Sequence, residues 1–100
     1  MSDKLTFPRL KPDIIGSPLV QYAKCGEELG ELSQKLTLLL GVEPRKHRPD
    51  DIAEQTLEEC IDLAQAATSM AYAVADMCGD AQLETAMKKH IGKMRERGYL

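Results

Sequence analysis

The sequence predicts a single all-α domain spanning residues 1–100, and three observations support this. A chain of this length is large enough for one hydrophobic core. Aromatic residues make up only 4% of it and Trp is absent, so a core must be built from Leu, Ile, Ala and Met, which suit helices. Apolar residues recur at helical spacing, and neither an internal repeat nor β-type alternation competes with that pattern.

The first main helix is predicted over residues 18–40. Residues 1–16 carry two prolines and a glycine without a sustained period, which predicts an extended or irregular N-terminal arm. Ser17 is a natural N-cap and Pro18 suits the first helical position, while Gly41 is a natural stop.

Two further helices follow a loop that is broken by glycine and proline. Asp51 and Glu54 have the spacing of a capping box, and the apolar pattern then continues over residues 51–78. Asp80 is placed to cap a third helix, which ends at Gly98. Together these elements predict three main helices per chain.

Charge is strongly segregated along the chain. Residues 49–87 contain nine acidic residues and neither Lys nor Arg, whereas basic residues gather at 45–48 and 88–97. A nucleic-acid-binding protein needs a continuous basic face, so this distribution argues against a polymeric nucleic acid as partner. It permits a divalent metal beside an anionic ligand.

The chain is expected to be cytoplasmic and to have no membrane partner. No apolar run approaches the ~20 residues of a membrane span, and the N-terminus lacks the apolar centre of a signal peptide. Three widely spaced cysteines, Cys25, Cys60 and Cys78, lie within helical patterns and are expected to be buried thiols.

The carboxylates of the first main helix are not all on one side of it. At ~100° per residue, Glu28 lies roughly 70° and Glu31 roughly 130° from the centre of the apolar stripe, while Glu27 lies almost opposite, near 170°. Glu28 and Glu31 therefore flank the predicted core and Glu27 is solvated. The stripe consists of Tyr22, Cys25, Leu29, Leu32, Leu36, Leu39 and Leu40.

The second main helix has a broad face of small apolar residues and, beside it, a row of carboxylates. Small residues follow the carboxylates at helical spacing, at Ala66, Ser69 and Ala73. They either leave room for a ligand or permit close helix packing. The predicted core face consists of Ala53, Leu57, Cys60, Ile61, Ala64, Ala67, Ala71, Ala75 and Cys78.

Two acidic pairs at spacing i, i+3, one on each of these helices, could converge on one divalent ion. Carboxylate oxygens suit Mg²⁺ or Mn²⁺. On the first helix the pair is Glu28 with Glu31. On the second, Glu58 is as well placed as Glu59 to act with Asp62, and a plain charge-segregated surface is the alternative interpretation.

The order of these motifs resembles a known family. "EELGEL", a basic loop, "EECIDL", "VADMCGD" and a basic C-terminal helix are similar to the motifs of MazG-like all-α nucleoside triphosphate pyrophosphohydrolases, relatives of dimeric dUTPases and phosphoribosyl-ATP pyrophosphohydrolases. The resemblance covers residues 19–99. It implies a helical bundle completed by dimerisation, or by a dimer of dimers, that hydrolyses a nucleoside triphosphate to the monophosphate and pyrophosphate.

The resemblance also implies roles for individual residues. The Mg²⁺ ligands would be Glu28, Glu31, Glu59 and Asp62, with Mn²⁺ as a possible substitute, and Glu28 or Glu31 would be the catalytic base. Substrate-binding candidates are Lys93, Arg95, Arg97 and Lys35. The chain departs from the family where many relatives carry Lys-Asn, because it has Lys93 followed by Met94.

A homodimer or homotetramer is also expected from the apolar residues alone. They spread widely around the second main helix, and Ala66, Tyr72 and Ala73 lie outside its main stripe, so one chain cannot bury them all. The alternative to an enzyme is a non-catalytic helical oligomer that binds metal, nucleotide or a protein partner.

Overall fold

The computed structural model describes residues 5–100 and contains four helices. They are α1 (Pro12–Ile15), α2 (Pro18–Leu39), α3 (Ile52–Cys78) and α4 (Asp80–Glu96), and no strand occurs among the described residues. The predictions of an all-α fold and of three main helices are confirmed. Within residues 5–100, none of the helices combines the length and apolar character needed to cross a bilayer.

The predicted start and stop of α2 are confirmed. The Ser17 side chain accepts a hydrogen bond from the backbone N–H of Val20 at 3.4 Å, and Pro18 occupies the first turn. Gly41, two residues after the helix ends, has φ of 67°, a left-handed conformation that glycine adopts without strain.

Two predicted caps are wrong. Asp51 precedes α3 but its carboxylate makes no capping bond and accepts instead from Gln55 Nε2 at 2.7 Å. Asp80 lies inside the first turn of α4, after Gly79, and its carboxylate pairs with Arg9. In both places an amide or guanidinium donor outcompetes the backbone N–H for the carboxylate.

Helices α2 and α3 form an antiparallel pair with a seven-residue repeat on both contact faces. On each helix a series of buried or half-buried positions recurs in steps of four and three, and on α3 further buried or half-buried positions lie beside this series, mostly in the C-terminal half of the helix. This is the period of a coiled-coil seam. The seam consists of Gln21, Cys25, Glu28, Leu32, Lys35 and Leu39 on α2, and of Ile52, Thr56, Glu59, Leu63, Ala66, Met70 and Ala73 on α3.

The seam is not the face that the hydrophobic pattern predicts. Tyr22, Leu29, Leu36 and Leu40 of the predicted α2 stripe are exposed in the chain. On α3 most of the predicted core face is exposed as well, and only Ala75 in it is buried. Both helices are apolar on more than one side, and a helical wheel ranks the sides without knowing which one meets the neighbour within the same chain.

The cysteine prediction shares this error. Cys60 and Cys78 belong to the predicted α3 core face and are exposed, and Cys25 of the seam is half-buried. The expectation of buried thiols is therefore wrong for Cys60 and Cys78 within the single chain.

Helix α4 is the least enclosed of the main helices. It packs only against α3, and none of its residues is buried. The Cα radius of gyration is 16.5 Å, whereas a compact domain of this length has about 13 Å. The chain is therefore extended, with apolar side chains such as Met87 and Ile91 uncovered on α4.

The described part of the N-terminal arm, residues 5–16, packs against the main helices, although its sequence has no regular period. Ile15, the last residue of α1, is completely buried, and its carbonyl accepts a 2.7 Å hydrogen bond from Gln21 Nε2. Arg9 pairs with Asp76 and Asp80. The prediction of an irregular arm thus misses a short helix, and residues 1–4 of that prediction lie outside the described part of the chain.

Truncation of Ile15 tests the arm. Ile15→Ala removes a fully buried side chain, so we expect it to lower the free energy of unfolding by about 2–5 kcal/mol. Ile14→Ala is a matched control on the same short helix, because Ile14 is 62% exposed and its loss costs less than about 0.5 kcal/mol. Urea denaturation measures both, and equal effects would contradict the packing of the arm on α2 and α3.

Candidate metal centre

Four carboxylates come together at the middle of the seam between α2 and α3. Glu28 and Glu59 occupy seam positions, and each has a second carboxylate three residues later, at Glu31 and Asp62. Because the helices are antiparallel, the pair on α2 faces the pair on α3. The structure therefore brings together all four residues that the motifs single out.

The cluster is tight and partly buried. One carboxylate oxygen from each of Glu28, Glu59 and Asp62 lies within 4.8 Å of those of the other two. Glu28 and Glu59 are half-buried, whereas Glu31 and Asp62 are exposed. Oε2 of Glu28 and Oε2 of Glu59 are buried atoms without a hydrogen-bond partner. The cluster thus has an inner side of unpaired oxygens and an outer side open to solvent.

Both half-buried carboxylates resist ionisation. Desolvation raises the pKa of Glu28 above its ordinary value, and the charges of Glu31 and Asp62 raise it further, while Lys24 lowers it. Desolvation is also the largest cause that raises the pKa of Glu59. Its close contact with Glu31 and the negative charges of Asp62 and Glu28 raise this pKa further. A positive charge placed among these groups would favour the ionised carboxylates and so offset both the desolvation and the repulsion between like charges.

The cluster fits a small divalent cation. Buried oxygens without donors need a proton, a water or a cation, and an all-oxygen set favours Mg²⁺ or Mn²⁺ over softer metals. Oxygens on opposite sides of Mg²⁺ are about 4.2 Å apart, since each bond is ~2.1 Å. The 4.8 Å limit on the carboxylate spacing is close to that size.

The other acidic residues of the two motifs lie outside the cluster. Glu58, which the spacing alone could not separate from Glu59, is exposed and is not among the three converging carboxylates. Glu27 is likewise exposed, as predicted. The difference between Glu58 and Glu59 is that only Glu59 falls on the seven-residue repeat of α3.

A cavity of about 230 Å³ adjoins the cluster on the side of the arm. Glu28 and Asp62 form one end of it, and Leu10 of the arm contributes to its wall. The remaining polar lining, from α2 and α3, consists of Gln21, Lys24, Gln65 and Ser69.

The predicted basic residues are distributed unevenly around the cluster. Lys35 lies on the α2 seam beyond Glu31, half-buried, and its Nζ donates to Gln55 Oε1 at 2.9 Å. Lys93, Arg95 and Arg97 lie at the exposed C-terminal end of α4, and α4 does not contact α2. The cation that lines the cavity beside Glu28 is Lys24, which the motifs did not indicate.

Searches of protein-family models, curated proteins and solved structures found no match to this chain. The similarity to MazG-like proteins therefore rests on the motifs themselves. The roles of the four carboxylates as ligands, and of the basic residues in substrate binding, stay predictions.

The raised pKa values predict how stability depends on pH and on metal. A carboxyl whose folded pKa lies above its unfolded value binds more protons in the native state between the two values, so native stability falls as pH rises through that window. For Glu28 and Glu59 the window opens near 4.5 and extends upward. As the pH rises from about 5 to about 7, the free energy of unfolding of metal-free Glu59→Gln should therefore fall by less than that of the metal-free wild type.

Added Mg²⁺ or Mn²⁺ should reverse the loss in the wild type, more strongly at the higher pH. At 100 times its Kd, a ligand of the native state adds about 2.7 kcal/mol, which in a domain of this size raises Tm by on the order of 10 °C. Thermal denaturation at one protein concentration measures both effects. Glu58→Gln is the control and should respond to metal as the wild type does, whereas an equal response from Glu59→Gln would contradict the proposed centre.

Proposed function

We propose that this protein is a Mg²⁺-dependent nucleotide pyrophosphohydrolase, which cleaves a nucleoside triphosphate to the monophosphate and pyrophosphate. The observation that carries the proposal is the convergence of Glu28, Glu59 and Asp62, with Glu31 in contact with the first two; Glu28 and Glu59 each hold a buried oxygen without a partner. A polar cavity at one end of the cluster supports it, and so does the resemblance of the motifs. Clearance of unwanted nucleotides is the role that suits such an activity.

The three converging carboxylates, Glu28, Glu59 and Asp62, are the ligands that would hold Mg²⁺. The metal, when bound, supplies charge neutralisation at the phosphates and acidifies water. Glu31 lies beside Glu28 and Glu59 but outside the converging set, and it is exposed. Glu31 therefore keeps an oxygen available to accept a proton from attacking water, and of the two candidate bases we favour it.

The triphosphate would bind on the exposed side of the cluster. Glu31 and Asp62 open that side to solvent, Lys24 stands at its cavity end, and Lys35 lies at its opposite end along the seam. Cations in these positions would stabilise negative charge that the metal does not neutralise. Lys93, Arg95 and Arg97 remain candidates for the same task.

The first test is the release of pyrophosphate. With Mg²⁺, the wild type should release it from at least one nucleotide in a panel that includes dUTP and modified bases. Loss of a ligand in Glu59→Gln or Asp62→Asn should lower the rate by at least about 100-fold, the upper end of what loss of an outer partner costs. Glu31→Gln should lower kcat by about 10²–10⁴-fold.

Glu58→Gln is the matched control for Glu59→Gln and should retain the wild-type rate. Circular dichroism checks that each variant keeps its helices. The assignment fails if no nucleotide yields pyrophosphate, or if the Glu58 and Glu59 variants lose activity equally. Calorimetry would then identify a non-catalytic binder, which holds Mg²⁺ and nucleotide without turnover.

We also propose that the protein is a homo-oligomer. The chain exposes 7892 Å² of surface, against about 5,700 Å² for a compact monomer of 11.1 kDa. A standard interface buries about 800 Å² per partner, so the excess is large enough for one or more such contacts. Leu57 and Ile61, one turn apart on α3, are 63% and 42% exposed and are suited to lie at its centre.

Light scattering tests this proposal. The wild type should have the mass of a dimer or tetramer at micromolar concentration. Ile61→Glu should lower that mass, because a charge in an apolar interface is left unpaired. Val42→Glu, at an exposed loop position, should not. A monomeric wild type would contradict the proposal.

A further inference from the structure

The cavity beside the acidic cluster has a polar floor that the metal centre does not use. Ser69 is 1% exposed and Gln21 is 5% exposed, so both are buried polar side chains at a surface cavity. Side chains of this kind are hydrogen-bonded in native proteins. Their remaining bonding capacity therefore indicates what the cavity accepts.

Existing hydrogen bonds fix the orientation of this floor. Gln21 Nε2 donates to the carbonyl of Ile15 at 2.7 Å, which turns the amide so that Oε1 is the free acceptor. Gln65 Nε2 donates to Ser69 Oγ at 3.1 Å and to the carbonyl of Pro8 at 3.1 Å. Ser69 thus keeps its own proton to donate, and among the described residues neither this proton nor Gln21 Oε1 is engaged. Ser69 and Gln21 therefore present one donor and one acceptor, and Gln65 Oε1 is a further acceptor without a partner among the described residues.

The chemistry of the lining excludes the charged parts of a nucleotide. A second metal would have only Glu28 and Asp62 as charged ligands, and Lys24 repels it. A phosphate would meet a single cation, Lys24, between two carboxylates. A neutral group that both donates and accepts hydrogen bonds is what this lining complements.

We propose that this cavity binds the nucleoside part of the substrate, and that Gln21 and Ser69 determine specificity through its donor and acceptor groups. The inference rests on the proposed function, which puts the triphosphate at the adjoining metal cluster. At about 230 Å³ the cavity is below the ~300–1,000 Å³ of sites that enclose a whole small ligand, so it holds part of the nucleotide. Leu10 of the arm is part of its wall, so the packing of the arm contributes to the shape of the proposed site.

Base and sugar share the required chemistry, and kinetics separates them. For the wild type, Ser69→Ala and Gln21→Met, kcat/KM is measured on deoxynucleotides that differ in base and on one ribo/deoxyribo pair. Loss of one neutral hydrogen bond should lower kcat/KM for the preferred substrate by about 10-fold. A changed ranking of bases identifies the base as the group bound, and a changed ribo/deoxyribo ratio identifies the sugar.

Matched controls separate this effect from a general loss of stability. Ser33→Ala removes an exposed hydroxyl and Gln34→Met an exposed amide from α2, and both should keep wild-type kinetics. The rise in Tm with Mg²⁺ should be unchanged in all four variants, since none is a carboxylate ligand. If Ser69→Ala and Gln21→Met match their controls on every substrate, the inference is overturned.

Binding data distinguish failure of this inference from failure of the proposed function. Nucleoside monophosphates are titrated into the wild type and Ser69→Ala in Mg²⁺ by calorimetry, whether or not turnover is detected. Binding that Ser69→Ala weakens supports the cavity even in a protein that releases no pyrophosphate. If the wild type binds no nucleoside monophosphate, the inference is overturned.

Discussion

The structure depends on the antiparallel contact between α2 and α3, and the middle of that contact is electrostatically unfavourable. The seven-residue repeat places Glu28 and Glu59 on facing sides of the seam, with Asp62 beside them, and aliphatic side chains would pack better at the two seam positions. A buried carboxylate oxygen without a donor is costly when ionised. The other helices do not relieve the cost: among the described residues the one cation that lowers the pKa of Glu28 is Lys24 of α2, and none lowers that of Glu59. The cation that we propose at the cluster would account for why the seam carries these residues at its centre.

The arm and the end of α3 form a second structural unit around this seam. Arg9 pairs with Asp76 near the end of α3 and with Asp80 at the start of α4, and its guanidinium lies 4.7 Å from the centre of the Tyr72 ring. A planar guanidinium can hold several partners at once. Arg9 therefore joins the arm to the junction of α3 and α4, which lies 67–71 residues further along the chain, and Ile15 of the arm is buried as well. This fixes the wall of the cavity next to the cluster.

Helix limits could be predicted from the sequence, whereas contact faces could not. Local chemistry sets the ends, as with Ser17, Pro18 and Gly41, so the predicted ranges agree with the structure. The choice between Glu58 and Glu59 needs the register between two helices, which a single helical wheel does not contain. The polar cavity could not be predicted either, because its wall includes Leu10 of the arm and the packing of the arm leaves no periodic signal in the sequence. One sequence feature does relate to the cavity: Gln21 lies seven residues before Glu28, which places both side chains on the same face of α2.

The small residues of α3 explain both the misjudged face and the cavity. Ala66, Ser69 and Ala73 are almost completely buried, so they do permit close packing, as one of the two sequence interpretations held. Ala66 and Ser69 also line the cavity, so they leave room for a ligand as well, and a larger residue at either position would fill that space. On the inner face, small, polar and acidic residues interrupt the larger apolar ones, so this face is less hydrophobic than an uninterrupted apolar seam. The strongly apolar faces of α2 and α3 therefore point outward, where a wheel mistakes them for the core of one chain. In the oligomer we propose, those outer faces supply the hydrophobic burial that the inner face gives up to form a site.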